Sequence, residues 1–130
     1  MIKSRLLLLA ERLEKIEALP KPKRTRNFNL SVWVRKNDCG TSACAVGEAT
    51  FIKRFRDLGL RYSKRLNYPT FKGQVSWAAV SKFFGITHHQ ATSLFTASGF
   101  ERRGVYATDT SIRPGQVARE IRKLVETGSI

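Results

Sequence analysis

Acidic residues are scarce in this chain: ten Asp and Glu stand against 24 Lys and Arg, which gives a formal charge of +14. Positive charges in such excess repel one another and destabilise the compact state. An excess of this size is therefore usually tolerated where a protein binds a polyanion. The hydrophobic share of 42% argues against disorder, because disordered chains are normally poor in apolar residues. Nucleic acid is therefore the first candidate partner.

Long hydrophobic runs are also missing. The apolar run at 6–10 is far shorter than the roughly 20 residues that a membrane-spanning helix needs. Glu11 and Arg12 follow it directly, which is not the pattern of a signal peptide. We therefore expect a soluble protein of the cytoplasm, in a bacterial host, with no membrane partner.

Cysteine and histidine are rare, with two of each. In the cytoplasm Cys39 and Cys44 are expected to stay reduced. Together with His88 and His89 they could supply four zinc ligands, but structural zinc sites separate their histidines by several residues and these are adjacent. The sequence therefore predicts no metal site and no cofactor.

Apolar periodicity predicts a mainly α fold, with about four to five helices and a short strand or small hairpin. Ile2, Leu6, Leu9, Leu13 and Ile16 form one stripe of a first helix. We predict a single compact domain over 1–130, made of an N-terminal helix at 2–18, a basic connector at 19–27 and a core at 28–127.

Turn and capping residues place the other predicted elements. They are a short strand or extended segment at 28–34, a helix at 42–58 ended by Gly59, a loop or irregular hairpin at 60–73, two short helices within 75–97, a small hairpin at 99–108 and a last helix at 114–126. The two short helices are joined at Gly85, and Thr87 and Gln90 predict a capping box on the second.

The basic residues are concentrated in two segments. The first holds Lys21, Lys23, Arg24, Arg26, Arg35 and Lys36, and the second Lys53, Arg54, Arg56, Arg61, Lys64, Arg65 and Lys72. Such clustering favours contacts with phosphates, whereas any single one of these residues could equally belong to a solvated face. Apart from Arg56, we take all of them as candidate nucleic-acid-binding residues.

Residues 80–94 resemble the helix-turn-helix of phage and bacterial regulators. The matching positions are Ser81, Gly85, Ile86, Ala91 and Leu94. The resemblance implies that the second helix enters a major groove. Its predicted outward residues are Thr87, His88, His89, Thr92, Ser93 and Thr96. They include none of the Arg, Asn and Gln that make bidentate base contacts, which suggests weak sequence readout. The alternative is that the hairpin only forms core.

The run from Asn37 to Ala45 is the second segment that could carry chemistry. Its Asp38-Cys39-Gly40 looks like a motif of some papain-like peptidases, and a thiol before a helix can have a lowered pKa. His88 or His89 would then be the base, but no oxyanion donor can be named. We favour the alternative that the protein has no catalytic residue, with Cys44 buried and Cys39 shaping a turn.

A wider resemblance involves the run Cys39-Gly40-Thr41-x-x-Cys44-x-x-Gly47 and the stretch from Phe83 to Thr87. Both resemble a group of small uncharacterised proteins of phages and mobile elements. The leading hypothesis is a nucleic-acid-binding protein of this type, with DNA favoured over RNA. One alternative is a phage-encoded, anti-CRISPR-like inhibitor of host defence that binds a protein or a nucleoprotein complex. Another is a small thiol enzyme. A homodimer stays open.

Overall fold

The computed structural model describes residues 1–37, 40–105, 108 and 110–130, and these contain seven α-helices and six strands. The helices are α1 (Lys3–Ala18), α2 (Ala45–Thr50), α3 (Lys53–Asp57), α4 (Ser76–Phe84), α5 (His88–Phe95), α6 (Ala97–Arg102) and α7 (Pro114–Thr127). The strands are β1 (Asn27–Phe28), β2 (Val34–Asn37), β3 (Gly40–Ala43), β4 (Arg61–Ser63), β5 (Tyr68–Phe71) and β6 (Gln74–Val75). Helices dominate, as predicted, but the strands amount to more than one hairpin.

The strands form two sheets of three strands each. In sheet A the order is β1-β3-β2, where β3 is parallel to β1 and antiparallel to β2. Sheet B is an antiparallel meander in the order β4-β5-β6. Strand β2 is therefore an edge of sheet A, and β4 is an edge of sheet B.

The first and last helices confirm their predictions closely. Leu6, Leu9 and Leu13 of α1 are fully buried, and α1 packs extensively on α7. Pro114 begins α7, and Gly128 follows its end in the left-handed conformation that favours glycine. Within the described part of the chain, no helix is long and apolar enough to cross a membrane.

The helical hairpin of α4 and α5 is also confirmed. Gly85 joins the two helices with φ of +66°, a conformation that a side chain would strain. The Oγ1 of Thr87 accepts from the backbone N–H of Gln90 at 3.0 Å, and the Gln90 side chain accepts from the N–H of Thr87 at the same distance. This capping box fixes the start of α5.

Phenylalanine rings make the centre of the hydrophobic core. Phe83 of α4 meets Phe55 of α3 and Phe71 of β5 edge to face, with ring centroids 4.8 and 5.1 Å apart. Arg5 of α1 donates to the carbonyl of Phe83 at 2.8 Å. One buried cluster extends from α1 to α7, so both sheets and the helices share a core.

Two predicted elements between 28 and 58 are wrong in detail. The short strand or extended segment predicted at 28–34 is strand only at its two ends and is interrupted by a turn, in which the Oδ1 of Asn29 accepts from the N–H of Ser31. The predicted helix at 42–58 begins only at Ala45, because the residues before it pair in β3, and Ile52 is extended and separates α2 from α3.

The prediction of a hairpin at 99–108 is wrong for 99–102, because these residues belong to helix α6. Thr96 caps this helix by accepting from the N–H of Gly99 at 3.0 Å. Phe100 is buried, which ties the helix to the core. Threonine is a common N-cap residue, so the start of α6 at this position agrees with the local sequence. Residues 106, 107 and 109 lie outside the described residues.

Candidate nucleic-acid interface

Acidic residues are concentrated on the helical side of the molecule. Five of the ten lie on α1 and α7: Glu11, Glu14, Glu17, Glu120 and Glu126. Across this helix pair Glu14 accepts from Arg122 at 2.7 Å, and Glu17 accepts from Arg113 at 2.9 Å. The hydrogen bonds from Arg122 lower the pKa of Glu14. Glu14 and Glu17 therefore neutralise Arg122 and Arg113 on this side of the molecule.

The side of the molecule that carries sheet B is instead poor in acidic residues, since 58–100 contains no Asp or Glu. Five exposed cations lie on or beside the two edge strands: Arg35, Lys36, Arg61, Lys64 and Arg65. We call these five the sheet-edge cations. Among the described residues, none of them forms a salt bridge, and Asp38, which follows β2, lies outside those residues.

A groove of about 400 Å³ separates the two edge strands. The phenol of Tyr62 on β4 donates to the carbonyl of Val34 on β2 at 3.2 Å, which holds the strands side by side. Burial raises the pKa of Tyr62, so the phenol stays a neutral donor. The groove is lined by Ser31, Val32, Trp33, Val34, Arg35, Lys36, Tyr62 and Asn67.

The remaining sheet-edge cations lie next to this groove along the chain. Lys64 and Arg65 lie in the turn between β4 and β5 that ends at Asn67, whereas Arg61 precedes Tyr62 on β4 and its side chain therefore points to the other face of sheet B. Consecutive Cα atoms are about 3.8 Å apart, so these residues start within one or two residue lengths of the groove. Two basic segments far apart in sequence thus meet at one place.

The backbone around Trp33 is fixed by the start of α2. The N–H of Cys44 donates to the carbonyls of Val32 and Trp33, at 3.1 and 3.3 Å. The Trp33 carbonyl lies against the Cα of Gly47, where a side chain would collide with it. The Trp33 ring contacts Trp77 of α4, with centroids 4.7 Å apart. Neither Trp33 nor Tyr62 was predicted from the sequence as a binding residue, although the basic pair at 35–36 lies close to Trp33 and the pair at 64–65 close to Tyr62.

Two predicted phosphate-binding residues have intramolecular partners instead. Arg24 donates to Glu17 and to the carbonyl of Leu19, and Arg26 makes two hydrogen bonds to Glu48, at 2.9 and 3.0 Å. Each arginine side chain is only 13% exposed. The two are held in the fold and are poorly placed to meet a phosphate.

The other predicted cations are exposed but lie apart from the groove lining. Lys21 and Lys23 flank Pro22 in a short 3-10 turn, and Lys53 on α3 pairs with Asp57 at 2.9 Å. Arg54 on α3 and Lys72 after β5 complete this exposed set. They can add to the overall positive potential.

The helical hairpin presents fewer polar residues than predicted. Thr87, His88 and His89 are exposed at the start of α5, and Thr92 is half-buried, with its hydroxyl donating back to the helix carbonyls. The prediction that Ser93 faces outward is wrong. Its side chain is 3% exposed and accepts from Arg102, because α6 folds back over this part of α5.

Comparison with known proteins adds no function. No family model, curated protein or solved structure matches this chain. The resemblances to small phage proteins and to helix-turn-helix regulators therefore stay predictions. Any proposal of a function rests on the local geometry.

The cysteine segment is described only in part. Cys39 lies outside the described residues, so its predicted part in a turn and the thiol-enzyme alternative are both open. Cys44 is buried, as predicted, and its Sγ accepts from the N–H of Gly47 at 3.4 Å at the start of α2. Burial raises the pKa of the Cys44 thiol to about 11. In the part of the chain that the structure describes, no three His, Cys, Asp or Glu cluster as metal ligands would.

This burial predicts an inert thiol at Cys44. In a Cys39→Ser protein, iodoacetamide near neutral pH should leave Cys44 unmodified, because alkylation needs an accessible thiolate. Mass spectrometry should detect one adduct only after denaturant is added. Rapid labelling of the native protein would contradict the burial. We expect Cys39→Ser to keep full nucleic-acid affinity.

Proposed function

We propose that this protein binds nucleic acid through the sheet-edge cations. The observation that carries the proposal is the acid-free stretch 58–100, together with five exposed sheet-edge cations that form no salt bridge among the described residues. Acids on α1 and α7 pair with nearby arginines, whereas the edges of both sheets carry cations without a partner among the described residues. Phosphates are the partner that such a surface fits, because each bound cation releases counterions from the nucleic acid.

The place of the helical hairpin in this proposal is secondary. Trp77, in the first turn of α4, contacts Trp33 beside the groove, while α5 begins beyond the other end of α4. Helix α4 has nine residues, so about 12 Å separates its ends. His88 and His89 can extend a contact surface, but the sheet-edge cations provide the main one.

The test removes charge while keeping the side chains polar. Replacing Arg35, Lys36, Lys64 and Arg65 with Gln should weaken binding to all sequences alike. The slope of log affinity against log salt should fall by about 0.7 per lost contact on a single strand, or about 0.9 on a duplex. Fluorescence anisotropy of a labelled oligonucleotide over a salt series measures both quantities.

A second protein controls for net charge. Lys3, Lys15, Arg119 and Lys123 are exposed on α1 and α7, and replacing these four with Gln removes the same charge from the helical side. This control should keep most of the affinity and the salt slope. Equal losses in the two proteins would reject the sheet edges as the site. A complex with a host defence protein that persists in high salt would instead favour the inhibitor alternative.

A further inference from the structure

The groove between β2 and β4 combines two kinds of group. Two aromatic residues, Trp33 and Tyr62, and two cations, Arg35 and Lys36, belong to the same lining. Proteins that bind single strands combine these groups, since bases stack on aromatic rings while cations follow the backbone. A continuous duplex offers only phosphates here, because its bases are already stacked inside the helix.

The size of the groove fits a part of a nucleic acid rather than a whole helix. Its volume of about 400 Å³ lies in the range of pockets that enclose small organic ligands. The Tyr62 phenol is held by the Val34 carbonyl, and the Trp33 ring by Trp77. Both rings are thus fixed before binding, so little side-chain entropy is lost when a base enters.

We infer that this groove takes an unpaired base, so that the nucleic acid bound by the sheet-edge cations is single-stranded. The inference rests on the proposed function and specifies its substrate class. Trp33 and Tyr62 supply stacking surface, and Arg35 and Lys36 bind the adjoining phosphates.

Tryptophan emission tests stacking directly. A Trp77→Phe protein keeps Trp33 as its single indole, since the chain has two tryptophans. A thymidine oligonucleotide of about 16 nucleotides should quench this emission, because that length spans a typical single-strand site. Heparin, a polyanion without bases, should bind without quenching. The same oligonucleotide annealed to its complement should bind at least about fivefold more weakly than the single strand.

Variants at Tyr62 test the groove itself. Tyr62→Leu should weaken single-strand binding by about fivefold or more, the effect expected for loss of one stacking ring. Tyr62→Phe keeps the ring but loses the hydrogen bond to Val34, so it should lose clearly less affinity than Tyr62→Leu. Tyr68→Leu is the matched control. Tyr68 pairs with Ser63, so it lies on the face of sheet B opposite Tyr62, and its loss should leave affinity unchanged.

The outcomes separate the two proposals. Equal affinity for single strand and duplex, without quenching, would overturn the single-strand inference and leave the proposed function standing. Equal losses in Tyr62→Leu and Tyr68→Leu would also overturn it. Failure to bind either nucleic acid would reject both proposals. If Tyr62→Leu fails to fold by circular dichroism, quenching of the Trp77→Phe protein decides alone.

Discussion

Replacing Glu48 with Ala is expected to destabilise the fold by about 3 kcal/mol. The Glu48 carboxylate is 4% exposed and accepts two hydrogen bonds from Arg26 and one from Arg12. Its loss leaves the guanidinium of Arg26 largely buried over the ring of Phe51 without a counter-charge. The value lies at the lower end for a broken buried pair, because Arg12 is 33% exposed and can turn to solvent. Urea unfolding followed by circular dichroism measures the change.

Glu14→Ala is the matched control for Glu48→Ala. Glu14 also accepts two hydrogen bonds from one arginine, Arg122, but the two side chains are 43% and 44% exposed. A pair this exposed is worth about 0.2–1 kcal/mol, since water screens it. Similar losses in the two variants would show that burial does not decide the effect at Glu48.

Gly47→Ala is expected to destabilise the protein by about 3 kcal/mol or more. Alanine normally stabilises a helix relative to glycine by about 1 kcal/mol. A loss of stability in Gly47→Ala would therefore have the opposite sign to the helix-propensity effect. At Gly47 the new methyl group would fall on the carbonyl of Trp33, and a backbone group cannot turn aside. Thermal unfolding measures the loss, and groove binding should weaken with it because Trp33 moves.

Gly115→Ala gives the comparison in another helix. There the methyl group would meet the side chain of Glu17, about 3.0 Å from its carboxylate oxygen, and that side chain can move. The change in unfolding free energy should stay within about 1 kcal/mol, because helix propensity offsets the contact. A loss at Gly115 as large as the one at Gly47 would contradict the backbone collision.

Local sequence signals predicted those parts of the fold that local interactions decide. The stripe of α1, the turn at Gly85 and the ends of α7 depend on residues within one or two helical turns. The start of α2 depends instead on β3 pairing with β2, and α6 depends on the burial of Phe100. Both features are decided by contacts between residues that are far apart in the sequence, and hydrophobic periodicity does not reveal such contacts.

The site was predictable in part for the same reason. Clustered charge in the sequence picked out two basic segments, and the sheet-edge cations belong to them. Sequence clustering could not show that Arg26 meets Glu48, 22 residues away, or that Arg24 turns back to Glu17. Nor could it bring Tyr62 beside Val34, since that contact joins two sheets.

The Cys-Gly-Thr-x-x-Cys-x-x-Gly run gains a structural explanation at two of its positions. Cys44 caps α2 with its sulfur, and Gly47 leaves room for the carbonyl of Trp33. Both residues hold the segment that leads into the groove. This part of the motif is accounted for by packing and backbone approach, without a reacting thiol.

The edge strands β2 and β4 also bear on how copies of this protein behave together. An uncovered edge offers backbone groups to another strand, and charged side chains on it oppose such pairing. The far edges, β1 and β6, have two residues each and are too short to recruit a partner strand. Resistance to aggregation therefore depends on the cations along β2 and β4.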